Sequence, residues 1–322
     1  MKRLLCALLA LLLIGATACS QTQSAAKREA FHATVGGVEL TEMPRRVVTM
    51  SRALTESVCA LGFAERLVAA GNGANAPAMA EDLPAVGTVL TPDTEALLAL
   101  SPDLVLTPAA LPGETTEALA AAGCAVVVLP YAETLGDAVG HWGVICTLLA
   151  GDTAGENMAA QLERYRAGIM ESLGDGIEEA QSAVFLMRLP NVCATGGTWL
   201  DDLLNRIGLE NAAAAGEDWI YTPAEGEGYE ADIIFYDEAI GEEAVAASVW
   251  QGSAAVQNGR LIPIDGNLLE AQTPRSLLAI AEAVHEAFPE SDFPAADIVL
   301  EQEAPEEPEP TAMEKLRRKL GI

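Results

Sequence analysis

Four short apolar runs near the start of the chain constrain its fold more than any other feature. Arg46-Val-Val-Thr-Met, Leu67-Val-Ala-Ala, Asp103-Leu-Val-Leu and Ala125-Val-Val-Val-Leu are of strand length, with helical stretches between them. One predicted helix spans Leu54 to Leu61 and stops at Gly62; another runs from about Glu114 to Ala122 and stops at Gly123. Between them lies a leucine-bearing helix, with Pro92 in its first turn and Pro102 at its end. Strands apolar along their whole length need cover on both faces, so this alternation predicts a parallel sheet with helices on each side.

The same grammar returns about 130 residues on. Ala183-Val-Phe-Leu-Met is a strand followed by Arg188, as Val47-Val-Thr-Met is followed by Arg52. Trp199 to Ile207 is a helix stopped by Gly208, and Asp232-Ile-Ile-Phe mirrors Asp103-Leu-Val-Leu. Between the halves, Thr153 to Leu173 has no proline and carries Met158, Leu162, Tyr165, Ile169 and Leu173 as one apolar stripe. At about 1.5 Å per residue this helix reaches roughly 30 Å, the width of a small lobe. The predicted fold is therefore α/β, two Rossmann-like lobes with central parallel sheets joined by a single long helix. The boundaries follow from the pattern: a first lobe over 44–150, the connecting helix over 151–178 and a second lobe over 179–292.

Charge and the two ends narrow the function. A formal net charge of −29 excludes nucleic acid as a partner, because phosphate neutralisation needs clustered basic residues. Between Glu29 and Glu314 there are ten Arg and no Lys, so each Arg in the body invites a specific question. Lys2-Arg3, the apolar run Leu4 to Ile14 and Gly15-Ala16-Thr17-Ala18-Cys19 follow the order of an export signal, too short in its core to span a bilayer. Residues 1–18 are thus a signal peptide, and 19–43 a tether. Ala16-Thr17-Ala18 is a peptidase site, while Ala-Thr-Ala-Cys resembles a bacterial lipobox, which makes Cys19 the lipid-bearing first residue of an exported protein anchored outside the cell membrane. Residues 293–322 form an acidic Pro/Glu-rich tail with a short basic amphipathic end. Cys59, Cys124, Cys146 and Cys193 stand singly in apolar surroundings, as buried small hydrophobes do.

A wider set of residues carries a family resemblance. Met43-Pro-Arg-Arg-Val-Val-Thr-Met-Ser-Arg52 is followed by Thr55-Glu56, Leu61-Gly62, Pro84-Ala-Val-Gly87 and Thr94-Glu95-Ala-Leu-Leu-Ala-Leu-Ser-Pro-Asp103. Gly196-Gly197, Leu203-Leu204, Gly208, Asn211 and Asn258-Gly259 continue it. Over about residues 45–290 this order resembles the iron-siderophore and cobalamin type of solute-binding protein of ABC importers. The resemblance implies a class III periplasmic-binding-protein-like fold, a rigid helical hinge and a ligand in the cleft between lobes. It also implies a carboxylate on each lobe that docks onto arginines of the membrane permease, a monomer as the working unit, and no enzymatic activity.

Glu95 lies roughly 150° from the centre of Leu97, Leu98 and Leu100, toward water, and is the docking candidate of the first lobe. Complementing the helix dipole is its plainer role. In the second lobe the family's Leu-rich helix is replaced by the Gly-rich Tyr221-Thr-Pro-Ala-Glu-Gly-Glu-Gly-Tyr, where Glu225 is the nearest counterpart and Glu227 the alternative.

Ligands of open α/β sheets sit beyond the carboxyl ends of the strands, which places Arg52 and Arg188 opposite one another. Two guanidinium groups suit carboxylates, phosphates or catecholates on the cargo, although surface pairing with a local acid is equally ordinary. Tyr131, Trp199, Trp219, Tyr221 and Trp250 offer flat surfaces to a large conjugated ligand, or else belong to the cores. His32, His141 and His285 are scattered, which argues against metal chelation by the protein itself; His141, beside Trp142, is the one that reaches the cleft if haem is the cargo. The expected cargo is metal-bearing, a ferric siderophore, haem or cobalamin, with no permanently bound cofactor. A surface sensor or adhesin on the same fold, or a metal-cofactor enzyme, are the competing functions. No nucleophile elbow, phosphate loop or paired Cys ligands favour the enzyme.

Overall fold

The computed structural model describes residues 31–71, 80, 82–174, 177 and 181–289. The signal segment with Cys19, most of the tether and the acidic tail lie outside the described residues. A hairpin of β1 (Ala33–Val35) and β2 (Val38–Leu40) leads into the first sheet. That sheet contains β3 (Val47–Thr49), β4 (Leu67–Ala70), β5 (Leu104–Thr107) and β6 (Ala125–Val128) in the order β4-β3-β5-β6, parallel throughout. Its central strands are buried on both faces, as continuous apolar runs require. Val47, Leu104 and Leu106 enter one core, while Val48 and Val105 enter another with Leu97, Leu111 and Leu119.

Helices α1 (Arg52–Ala60), α2 (Thr94–Ala99) and α3 (Gly113–Ala121) connect these strands. Helix α2 begins later than Pro92 suggests. Asp93 is its N-cap and accepts from Ala96 N at 2.9 Å, while Pro92 pairs with Gly87 in an antiparallel bridge. Then come α4 (Leu135–Ala150) and the strut α5 (Asp152–Gly174). The two pack so closely that a Cβ on Gly155 meets Thr147 Cα at 2.4 Å, and only glycine fits the crossing. On the strut, Met158, Leu162, Ile169 and Leu173 are buried as the stripe predicts, with Tyr165 half-buried beside them.

The second sheet holds β7 (Ser182–Arg188), β8 (Val192–Cys193), β9 (Glu210–Asn211), β10 (Ile233–Asp237) and β11 (Leu261–Ile264). Its order is β11-β10-β7-β8, with β9 also on β7; β8 alone runs antiparallel. Phe185 and Phe235, side by side in register, stack at 5.0 Å. Helices α6 (Trp199–Arg206), α7 (Glu242–Ala246), α8 (Ala254–Gln257), α9 (Gly266–Ala271) and α10 (Pro274–Ala287) complete this lobe. All four cysteines of the body are buried free thiols. Among the described residues no helix is long and apolar enough to cross a membrane.

Candidate functional site

The carboxyl ends of the strands from both sheets converge on one cavity of about 600 Å³. The first lobe contributes Ser51 and Arg52 after β3, Pro108 after β5, and Leu129 to Tyr131 after β6. The second contributes Met187 and Arg188 at the end of β7, the loop Asp218 to Ile220, and Asn267 and Glu270 to Gln272 on and after α9. Its lining is mostly apolar, Ile145, Leu129, Met187, Val192 and Ile220 among it, with few charged groups.

Arg52 is the first residue of α1, fixed because Ser51 caps the helix and accepts from Leu54 N at 3.3 Å. Its Nε is buried with no hydrogen-bond partner among the described residues. A buried guanidinium N–H left open on a cavity wall suits an incoming acceptor, since an unmade bond of this kind is costly. Arg188 closes β7 from the other lobe and is exposed at the rim. Tyr131 and Trp219 meet edge to face across the cleft, with ring centroids 6.2 Å apart and planes at 80°. The Tyr131 hydroxyl donates to the Glu270 carbonyl at 3.3 Å.

The structure places other expected residues elsewhere. Trp199 is fully buried at the start of α6, in the main core. Trp250 is fully buried too; its Nε1 donates to the Pro190 carbonyl at 3.2 Å, and Tyr221 and Tyr229 pack on it at 6.1 and 5.0 Å. Tyr221 is half-buried in that aromatic cluster and takes no part in the cavity wall. These three aromatics build the second lobe, because their ring area is worth more in a core than at a wet rim. Glu95 is exposed in the first turn of α2, and Leu97 is buried beneath it; Leu98 remains 36% exposed and is no part of the covered side. Glu225 is exposed in a loop, with no helix between Asn211 and Ile233 among the described residues.

His141 lies on α4 and does line the cavity. Burial lowers its pKa below the ordinary 6.5, opposed by Asp137, so the imidazole is neutral at pH 7. The unfolded chain therefore binds the extra proton first as pH drops. The stability tied to this residue is complete above pH 6.5 and is lost as pH falls through that value toward the depressed one. Melting curves between about pH 7.5 and 5 are expected to show a smaller acid-side loss for His141→Gln than for the unaltered protein; parallel curves would contradict it.

Contacts between the lobes carry no local sequence signal. Gln272 pairs its side-chain amide with the Ala132 peptide: Ala132 N donates to Oε1 at 2.9 Å, and Nε2 donates to the Ala132 carbonyl at 2.7 Å. Trp142 Nε1 donates to the Gln272 carbonyl at 2.7 Å, and Leu135 N to Asp202 Oδ2 at 2.9 Å. Glu56, buried on α1, pairs with Arg275 on α10 at 3.1 Å. Burial raises the Glu56 pKa, with Arg275 and then Arg52 opposing. None of these is a metal centre: among the described residues no group of three or more His, Cys, Asp or Glu side chains is arranged to hold an ion.

Residues 47–268 match the family described as "Periplasmic binding protein". A Bacillus subtilis (strain 168) protein named as an uncharacterised ABC transporter substrate-binding lipoprotein, YvrC, is 23% identical over 278 residues, 82% of this chain and 88% of that one. The periplasmic heme-binding protein RhuT from Roseiflexus sp. RS-1, in apo form, superposes with a TM-score of 0.60 at 26% identity, over 76% of this chain and 98% of its own. The periplasmic vitamin B12 binding protein BtuF of Vibrio cholerae has a TM-score of 0.60 at 20% identity, over 76% and 96%.

Proposed function

The chain belongs to the periplasmic binding protein family, and from that premise we propose that it captures an anionic, metal-bearing cargo outside the cytoplasm and delivers it to an ABC importer permease. The family and the relatives are binding proteins rather than enzymes. One observation carries the cargo assignment: Arg52 and Arg188 stand on a mostly apolar cavity from opposite lobes, and the Nε of Arg52 is buried without a partner. Planar N–H forks pair bidentately with carboxylates, while the apolar wall accepts a large organic body. A haem, with its two carboxylate arms, meets both demands, and the neutral His141 imidazole has a lone pair to offer its iron. The RhuT relative, named as heme-binding, supports the same class; the BtuF likeness supports the fold and keeps corrinoids in the comparison.

Lipid on Cys19 would hold the protein, as a monomer, to the outer face of the membrane; the YvrC relative is named as a lipoprotein. Glu95 and Glu225 are the acidic contacts to the permease, both exposed and one on each lobe.

The test is direct. Purified protein is incubated with haem, cobinamide, cobalamin and ferric siderophores and examined by native mass spectrometry and absorbance. Haem is expected to bind with a shifted Soret band. Arg52→Met is expected to weaken haem by about 30-fold or more, the scale of losing a charge-assisted contact, without lowering the melting temperature. If no metal complex binds, capture of such cargo is wrong; if Arg52→Met binds haem unchanged, the anionic contact is wrong.

A further inference from the structure

Among the described residues, Glu56 is the only acidic or basic side chain that is fully buried. A charge loses its hydration in a protein interior, so burial there calls for a partner. Glu56 sits in the middle of α1, whose Arg52, Ala53, Leu54 and Ser57 line the cavity, yet it is no part of the cavity wall. It meets the second lobe instead. Helices α9 and α10 pack against α1, and Arg275 Nη1 donates to Glu56 Oε1 at 3.1 Å.

The charges around Glu56 come from three elements. Arg52 stands one turn back on α1, Arg275 lies in the first turn of α10, and Asp265 caps α9. Burial raises the carboxyl pKa; Arg275 and then Arg52 oppose it, and Asp265 adds to it. Cys59, three residues on, is a neutral thiol that burial and then Glu56 push up to about 11. Glu56 is thus balanced between desolvation, which favours its neutral form, and two cations that keep it ionised. Of those two, Arg52 faces the cavity with a buried Nε that has no partner among the described residues. An anion seated there offsets the guanidinium charge and brings a like charge to its far side, and both changes favour protonation of a neighbouring carboxylate.

We infer that Glu56 makes capture of an anionic cargo proton-linked: as the anion takes Arg52, a proton from solvent adds to the Glu56 carboxylate, and its charge-assisted bond to Arg275 becomes a weaker one. This rests on the anionic capture proposed above and adds to it a response at the lobe junction, from a residue the cargo does not touch. Linkage is reciprocal, so protonated Glu56 favours the anion by the same factor. With the bound-state pKa above the free one, affinity is level at high pH, tightens as pH falls from the bound value to the free value, and is level again below. A difference of one pH unit between the two corresponds to about tenfold in affinity.

Haem is the probe, titrated by calorimetry into the full chain and its Glu56→Gln and Arg275→Gln variants between about pH 8 and 5.5. Buffers of differing ionisation heat count the protons taken up. Unaltered protein is expected to take up a fraction of a proton more per haem than Glu56→Gln, a difference from which the haem carboxylates cancel. As pH falls, its haem affinity is expected to gain about three- to tenfold relative to that of Glu56→Gln. Glu56→Gln mimics the neutral acid and should bind haem at least as tightly as unaltered protein at pH 8, where a merely structural glutamate would bind worse. Arg275→Gln removes the larger favouring charge and should move the uptake to higher pH. Infrared difference spectra of unaltered protein carrying 13C-labelled glutamate carboxyls read the same proton directly, as a carboxylic-acid band that haem binding brings up. Equal uptake in unaltered protein and Glu56→Gln, weaker haem binding by Glu56→Gln at pH 8, an unmoved uptake range in Arg275→Gln, or no such band overturns the inference and leaves capture standing. Haem that does not bind the unaltered protein overturns haem capture and this linkage together.

Discussion

Replacing Glu95 by arginine is expected to abolish uptake of the cargo while leaving its binding constant unchanged. Glu95 is exposed, it lies in the first turn of α2, and it takes no part in the cavity wall. The helix that presents it is firmly placed. Asp93 caps it, Asp93 N donates to the Val86 carbonyl at 2.9 Å, and Leu97 is buried beneath. A carboxylate so placed also complements the helix dipole, worth about 0.3–1 kcal/mol. Reversal therefore costs a small amount of stability, which melting curves read directly, and Glu95→Gln separates lost attraction from added repulsion by removing the charge without reversing it. Against an arginine on the permease, reversal turns attraction into like-charge repulsion, which rejects partners more strongly than loss of a contact weakens them. Glu225 sits in a loop instead of a helix, so its reversal alone is expected to act less strongly, and the double reversal most of all. Uptake and permease ATPase stimulation in proteoliposomes, with calorimetric cargo binding in parallel, read the two effects apart. Transport undiminished in the double variant would remove docking from both residues.

How far the sequence reveals this arrangement depends on what each residue touches. The strands are legible because Val47, Val48, Leu104 and Leu106 are apolar on both faces of a sheet buried on both faces. The strut is legible because one side meets the core and the other meets water, which leaves a stripe of period 3.6. Helix α4 has no such contrast. Leu135, Ala138, Trp142, Ile145, Cys146, Leu148 and Leu149 are all buried, and an apolar run of this kind looks alike as helix or strand. In the site, Arg52, Arg188 and Tyr131 can be placed from sequence because each lies at or just after the carboxyl end of a strand, a position that topology fixes. Trp199 and Trp250 cannot, since a tryptophan beside a helix start turns inward or outward by register, which spacing leaves open. His141 reaches the cavity through α4, the element whose pattern is silent. Gln272 has no local mark at all, because its partner Ala132 is 140 residues away.

That hidden joint predicts the largest loss of stability. Trp142→Ala is expected to destabilise the protein by about 3–5 kcal/mol, the range for deleting a large buried aromatic. Trp142 is fully buried, and its indole N–H holds the Gln272 carbonyl at 2.7 Å. Gln272 is itself pinned in the left-handed region at φ 55°, where its amide closes two bonds onto Ala132. Trp142→Phe keeps most of the ring but leaves that carbonyl without its donor, an expected cost of about 1–3 kcal/mol. Gln272→Ala strips partners from both polar groups of the buried Ala132 peptide and is expected to cost at least as much as Trp142→Phe. Denaturant midpoints at constant slope measure these losses. Because the same joint sets how the lobes face one another across the cavity, Trp142→Phe should also weaken cargo binding, although Trp142 is no part of the cavity wall. Arg52→Met is expected to show the opposite signature, weak binding in a protein of unchanged stability. Trp142→Phe with both an unaltered midpoint and unaltered affinity would mean that the strut alone holds the lobes in register.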